Sequence, residues 1–600
     1  MATTKWFILC AAACLAAMAG AAPRRGPTKE IETKRYGDLL VTPVPFDSGY
    51  SHSDGSRGYY TLYYDVVNTS QTASHAVAFR YAQHYRTPPV VLPPGGTKRF
   101  SLVKMAAYGN LYRGANLEIN GRIHPEEAPI FYGDGSRWST SILLSPGLSK
   151  TAVEYRVEVL FKEQAKISEE TELYKSLDSL KRPTNFFDTR MPLAEWPEDW
   201  RAYSGYSALV MVEEDYLALP PNVSAAIGRY VAAGGYLLRV GREGEPEALG
   251  LGRVVFHANA TVEEWSAEDC TVLLRNESRR SSNLWAVGTG AWQTVIPPVS
   301  GTTMLAAYLA LLFITVNMGP LLMWRLARKN QRVKIYVIAP LAGAAVCVAV
   351  VITAYCMDGV TPVVRANASV LIDAKNNTAV TLSRVIIKAP TAVRGGMVFG
   401  RDTVVEPLLE KGGGRRVVWA EEALQFNTAW LPSRNPSGFF LRNVGTAPEK
   451  TLEIIAETEE GLTVQNHFAE PLTWLFARGA DETHYFAEAV PPGATALLTS
   501  RSTNEFARLV QRETKEEDLT INQRRRLNES RFALLSLYYV VAHAADPANL
   551  QHSPIRPLPE PHFFVAAMPG TPFTETFIFV NTEARGETTV FGTFTREDSP

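Results

Sequence analysis

The chain has 600 residues, with 60 Lys and Arg against 61 Asp and Glu and a formal net charge of -1. That balance excludes an electrostatic binder of nucleic acid, and no nucleic-acid partner is predicted. Of the 5 cysteines, Cys10 and Cys14 lie near the start and Cys347 and Cys356 in one apolar run, leaving Cys270 alone. The large folded parts are therefore predicted to rest on ordinary cores without internal disulfides.

Residues 1–21 open with Met1-Ala-Thr-Thr-Lys5, run apolar from Trp6 to Met18 and end in Ala19-Gly20-Ala21. This is the pattern of a secretory signal peptide cut after Ala21, with lipid attachment at Cys14 as the alternative. Residues 30–140 read as a β-sandwich. Tyr59-Tyr60-Thr61-Leu62-Tyr63-Tyr64-Asp65-Val66-Val67-Asn68 is aromatic and β-branched, and it stops at the turn-forming Asn68-Thr69-Ser70. Pro93-Pro94-Gly95-Gly96 then makes a rigid turn before the next strand.

The period changes over 141–298. Ala208-Leu209-Val210-Met211-Val212 is an apolar run of buried-strand length, and Pro220-Pro221-Asn222 opens a helix. That helix puts Val223, Ile227, Tyr230 and Val231 on one face, closes at Gly234-Gly235 and returns to a strand at Tyr236. Strand, helix, strand predicts a parallel-sheet α/β domain, with 141–146 as an earlier strand and 150–183 left without an assigned element.

Two uncharged apolar runs, 302–324 and 335–357, follow. At about 1.5 Å per helical residue each reaches roughly 34 Å, enough to cross a ~30 Å hydrocarbon layer as one half of a transmembrane hairpin. The connecting loop, 325–334, carries Arg325, Arg328, Lys329, Arg332 and Lys334 and no acid, which predicts a cytoplasmic loop with both large flanks outside an inner membrane. The partners expected on this reading are the lipid bilayer and a membrane protein such as a transporter subunit. Gly343 and Ala344, within Ala342-Gly343-Ala344-Ala345, would let a partner helix approach closely.

Residues 360–500 read as a second β-sandwich, in which Val490-Pro491-Pro492-Gly493-Ala494-Thr495 echoes the earlier Pro-Pro-Gly turn. Residues 501–600 read as a helical pair, 504–517 and 523–545, followed by strands. The apolar part of the second helix, 532–545, is too short to span a bilayer and is expected to pack in a core. The fold class expected overall is a multidomain α+β membrane protein.

Chemistry is sparse. His-Glu-x-x-His, Cys-x-x-Cys, Gly-x-Ser-x-Gly, the phosphate loop and Gly-x-Gly-x-x-Gly are all missing from the sequence. His124 with Glu126 and Glu127 is the densest histidine-acid group, in a turn-like His-Pro context. Gly250-Leu251-Gly252-Arg253 reads as a strand-entry turn. Cys270 follows Glu268-Asp269, whose charge opposes thiolate formation. No catalytic, cofactor or metal residue is assigned. Glu213, Glu214 and Asp215 follow the 208–212 strand at the carboxyl end of its sheet, where open α/β folds bind ligands, and form the candidate polar site.

Trp196-Pro-Glu-Asp-Trp200-Arg-Ala-Tyr-Ser-Gly-Tyr206, with the 208–212 strand and the helix ending in Gly234-Gly235, resembles the class I glutamine-amidotransferase-like domain of bacterial membrane-anchored envelope proteins. Gly250-Leu-Gly-Arg-Val254, Gly319-Pro320, Trp324-Arg325, Trp430-Leu-Pro-Ser-Arg434 and Gly461-Leu-Thr-Val-Gln-Asn466 share the resemblance. True amidotransferases carry a Gly-x-Cys-x-Gly elbow, which is missing here, so the resemblance implies a fold used for binding or spacing without glutaminase chemistry. The expected function is a non-catalytic inner-membrane scaffold or accessory subunit of an envelope or transporter complex. Two alternatives stand beside it. One is a receptor for a small molecule or glycan, near Asp215 or on a face bearing Tyr59, Tyr63 and Tyr64. The other is a hydrolase with an unfamiliar site at Cys270 or a serine.

Overall fold

The computed structural model describes residues 32–46, 59–81, 85–105, 115–129, 140–167, 184–189, 191–259, 261–266, single positions and short stretches from 305 to 352, 362–390, 396–400, 402–407, 417–419, 423–433, 435–479, 483–501, 563–570, 572–573 and 584–594. The first module is a sandwich. One sheet pairs Lys34–Tyr36, Leu39–Val44, Tyr59–Asn68 and Thr97–Met105 antiparallel in that spatial order. Alternation along Tyr59–Asn68 sends Leu62, Tyr64 and Val66 inward, and Tyr64 stacks on Phe79 with ring centroids 4.6 Å apart. Phe79 belongs to the facing sheet, in which His75–Tyr81 pairs with Tyr85–Arg86, Val90–Leu92 and Asn116–Ile119.

That facing sheet does not end within the module. Val417–Trp419 adds to Tyr85–Arg86 in parallel, and Ala423–Phe426 and Met397–Gly400 extend the sheet further. The last three strands close over the antiparallel strands Val363–Asp373, Thr378–Lys388, Pro436–Thr446 and Thr403–Pro407, around a core of Met397, Phe399, Phe426, Trp430 and Phe439. The first and middle sandwiches thus share one 8-stranded sheet across a long stretch of sequence.

The last module repeats the first. Leu39 stands opposite Asn68 and Val67 opposite Thr97; Leu452 stands opposite Asn466 and Gln465 opposite Thr495. Asn68 and Asn466 are both 0% exposed. Each side-chain amide donates to the carbonyls 24 and 25 residues on, Leu92 and Pro93 in the first case and Val490 and Pro491 in the second. Each Oδ1 accepts from the amide two residues on, of Ser70 and of Phe468. The Pro-Pro-Gly turns also match: Gly96 and Ala494 donate to the carbonyls of Pro93 and Pro491, with Gly95 at φ +70 and Gly493 at φ +68, the left-handed value that a type II turn demands of its third residue. Trp474–Arg478 pairs Phe563–Pro569, which pairs Ala584–Thr593, as His75–Tyr81 pairs Asn116–Ile119 and then Arg122–Glu127. Ala584–Thr593 also lies parallel to Val363–Asp373, joining the last module to the middle one in an 11-stranded sheet.

Between the first and middle modules lies a 6-stranded sheet in which Thr184–Asp188, Thr140–Leu144, Ala208–Val212, Tyr236–Val240 and Gly252–His257 run parallel and Glu247–Leu249 is an antiparallel edge. Helices Lys150–Ile167, Glu213–Leu217 and Pro221–Ala232 accompany it. The helix at 221–232 carries Pro at its first turn and buries Val223, Ile227, Tyr230 and Val231. The expected multidomain α+β class, with a strand–helix-alternating α/β domain over 141–298, is corrected. The described chain is mostly β-strand with few, short helices. The segment entering Ala208–Val212 turns through the 3-10 pieces Leu193–Glu195 and Trp200–Tyr203, and Tyr236–Val240 reaches Gly252–His257 through a β-hairpin arm. Both links replace crossover helices.

The transmembrane hairpin and the inner-membrane location are corrected as well. Among the described residues no helix is long and apolar enough to cross a membrane. The loop residues Arg325 and Arg328 lie on the short helix Leu322–Arg328, and Arg332 and Lys334 on a 3-10 turn, while Lys329 and much of both apolar runs lie outside the described residues. The same holds for the expected signal peptide, for Cys270 and for the helical pair over 504–545.

Candidate functional site

The chain leaves the central strand Thr140–Leu144 toward Thr184–Asp188 on one side and later returns as Ala208–Val212 on the other. The carboxyl ends of Thr140–Leu144 and Ala208–Val212 therefore flank the switch point where a parallel sheet opens a crevice. Here the crevice is closed by the chain itself. Ser145 donates its N–H to the Val210 carbonyl at 2.9 Å, and its Oγ accepts from the Val212 N–H at 3.2 Å. Asp215 Oδ2 accepts from the Gly147 N–H at 2.7 Å, and a Cβ at Gly147 would stand 2.5 Å from Val212 Cγ2. The N-terminus of helix Lys150–Ile167 is also occupied, because Asp188 Oδ1 accepts from the Lys150 N–H at 2.9 Å. Two backbone donors at this end of the sheet, the N–H groups of Gly147 and Lys150, are thus satisfied by the chain's own carboxylates.

The three predicted site residues do not converge. Glu213 forms a two-point ion pair with Arg239, at 2.8 Å and 2.5 Å, and touches Arg242 at 3.4 Å. The Arg239 guanidinium in turn lies 3.8 Å from the Tyr216 ring centroid. Glu214 is exposed, and Asp215 holds the Gly147 loop. Of the histidine-acid group, His124 packs edge-on against Tyr36 and Glu126 pairs with Lys34 at 2.8 Å. Gly343 has nothing within 4 Å of an added Cβ, and Ala344 is exposed.

The tyrosine face is a junction and offers no platform to a ligand. Tyr59, Tyr63 and Tyr64 are all buried, and burial pushes each phenol well above its ordinary value. The Tyr59 N–H donates to Ser204 Oγ at 2.8 Å, while its hydroxyl donates to the Val405 carbonyl at 2.5 Å and accepts from the Val405 N–H at 2.9 Å. Ser204 sits just past Trp200–Tyr203, whose Arg201 pairs with Asp199 and reaches the Thr403 carbonyl at 3.4 Å. Phe46 presents its edge to Trp196, Tyr203 and Tyr206. On the far side, Arg442, 0% exposed, donates to the Ala233 carbonyl at the end of helix Pro221–Ala232 at 2.5 Å. Burial lowers its pKa to about 10, partly offset by Glu406. Arg229 pairs with Asp402, and the Gly250 N–H donates to Asp373 Oδ2 at 3.1 Å. One apolar cluster runs through all of this, from Tyr36 to Val444. Sequence patterns marked the tyrosines as a strand but carried no sign that both faces of that strand are covered.

No protein-family model and no curated protein matches this chain. Among solved structures, a two-domain M1 zinc metallopeptidase mutant bound to L-tryptophan aligns at 9% identity over 23% of this chain, with a TM-score of 0.12. The aligned part spans 39% of that chain, less than half its length. A score that low does not show a shared fold.

Proposed function

We propose that this chain is a non-catalytic assembly protein, a scaffold or accessory subunit of a multi-protein complex, whose joined β modules form a rigid frame and whose 305–352 segment contacts a partner protein. The observation that carries the reading is the exposure of large apolar side chains along that segment. Leu305 is 58% exposed, Leu312 60%, Val333 79%, Tyr336 81% and Leu341 68%. Exposed large apolar side chains mark an interaction surface, because their contact with water is unfavourable by roughly 25 cal/mol per Å². The hydrogen bond that ties Asp215 to the Gly147 loop supports a structural role for that carboxylate. In this proposal the segment resembling a glutamine-amidotransferase-like domain acts as a spacer, clamped between the first and middle sandwiches.

Photo-crosslinking tests it. A benzophenone side chain placed at Tyr336 or at Leu341 in the full chain, irradiated in cells, is expected to give a discrete adduct with a second protein. The same group at Tyr155, exposed on helix Lys150–Ile167, serves as the control and is expected to give none. Failure to form a protein adduct at both Tyr336 and Leu341 contradicts the proposal.

A further inference from the structure

Across the described frame, arginines meet the chain's own carboxylates. Arg80 and Arg86 pair with Glu118, Arg99 with Asp65 and Glu195, Arg201 with Asp199, Arg229 with Asp402, and Arg239 and Arg242 with Glu213. Residues 302–357 offer no such partner, because they hold Arg325, Arg328, Lys329, Arg332 and Lys334 and no Asp or Glu. The helix Leu322–Arg328 lies close to the 3-10 turn Arg332–Lys334. Arg325, Arg328 and Lys334 are exposed there, and no carboxylate pairs with them among the described residues. Arg328 lays its guanidinium over the Trp324 ring, 3.8 Å from the centroid. A guanidinium stacked in this way keeps its in-plane N–H groups for a carboxylate. Trp324, Val333, Tyr336 and Val337 are large apolar groups exposed between and after these cations.

We propose that the partner covers 322–334 with an acidic segment that also carries apolar side chains: its carboxylates meet Arg325, Arg328 and Lys334, and its apolar groups cover Trp324, Val333 and Tyr336. This rests on the reading of 305–352 as a protein contact and deepens it by naming the partner's chemistry. Charge complementarity selects the occupant. Arginine binds a carboxylate through parallel N–H donors, and a basic partner is repelled by a face that has no acid of its own. A second copy meeting this face with its own is disfavoured for the same reason, because cations would then oppose cations.

The test uses the full chain and fluorescein-labelled Glu-Leu-Asp-Glu-Phe-Leu-Asp, read by anisotropy at about 150 mM and about 1 M salt and by amide hydrogen exchange. Saturable binding is expected, with new protection within 322–338 and an affinity about tenfold lower at the higher salt. The R325Q/R328Q/K334Q variant is expected to bind about tenfold more weakly, while K98Q/R122Q/K375Q, which removes exposed cations from the frame, binds as the parent does. The peptide with Gln and Asn in place of Glu and Asp is expected to show the same loss. Parent-like binding of that neutral peptide or of the R325Q/R328Q/K334Q variant, protection elsewhere, or no saturable binding each overturns the inference. Capture of the full chain by phosphatidylglycerol vesicles, lost in the same variant and without peptide binding, assigns the face to anionic lipid and overturns it too. Each of these failures leaves the assembly reading standing, since that reading is tested separately by the adduct at Tyr336 or Leu341.

Discussion

Tyr59 and Val405, 346 residues apart, exchange two hydrogen bonds: the phenol donates to the valine carbonyl and accepts from the valine N–H. Tyr59 also gives its own N–H to Ser204, so one residue of the first sandwich is bonded to the parallel-sheet segment and to the middle sandwich. The three parts share a boundary that is both apolar and hydrogen-bonded.

Tyr59→Phe keeps the ring and removes both bonds. It leaves the Val405 N–H and carbonyl unsatisfied at a fully buried position, and a loss of about 2 kcal/mol in urea denaturation is expected. Ser204→Ala, which strands the Tyr59 N–H, is expected to cost about 1 kcal/mol. Variants indistinguishable from the parent chain would show that the junction rests on apolar contact alone.

Asn68→Asp and Asn466→Asp should be nearly equivalent despite their distance in sequence. Each replaces a donating amide, fully buried among carbonyls, by a group that accepts only, and each is expected to destabilise its module by about 2–3 kcal/mol or raise the carboxyl pKa until it is protonated. Hydrogen exchange resolves the two modules separately. A large effect at one site and none at the other would argue against a repeated structural role.

Local elements were legible in the sequence while the overall class and the membrane spans were misread, and the reasons are physical. The 208–212 run, the Pro-initiated helix and its Gly-Gly end are local signals, and the structure places them at Ala208–Val212, Pro221–Ala232 and Gly234, at φ +114. The two Pro-Pro-Gly turns were visible as an echo. That they belong to a repeated module was not, because the repeat lies in strand register and in two buried asparagines while the surrounding side chains differ. The charge pattern showed Glu213, Glu214 and Asp215 at a sheet end but could not show that Arg239 and the Gly147 loop engage two of them. Apolar content over 302–357 suggested spans; composition reports only an unfavourable contact with water, and no described helix there is long enough to cross a membrane.

Glu118 gives a pH dependence with a definite sign. Its carboxylate, 4% exposed, accepts from Arg86 and Arg80, and the Arg86 hydrogen bond, opposed by burial and aided by Arg80, holds its pKa down at about 2. A carboxyl depressed in the folded state contributes stability that is complete above its unfolded value near 4.5 and is lost as pH falls toward 2. A decline of about 1–3 kcal/mol between pH 5 and pH 2 is expected from this group. Glu118→Gln should flatten that part of the stability profile, and an unchanged slope would contradict the pairing.

Gly147→Ala tests the sealed crevice. The added Cβ meets Val212 and Asp215, so the loop must lift, and a cost of about 1–3 kcal/mol is expected. Asp215→Ala, which only frees the Gly147 N–H, should cost about 1 kcal/mol. Neutral behaviour of both would mean that the crevice is open enough to admit a ligand.

The most direct measurement of the assembly role is the mass of the full chain isolated gently from its native cells, by light scattering with parallel protein identification. The account predicts a particle well above the 66.1 kDa of one chain, containing a second protein in fixed ratio, and loss of that protein on Tyr336→Asp with Leu341→Asp. A particle holding this chain and no other protein, unchanged by that double substitution, would contradict it.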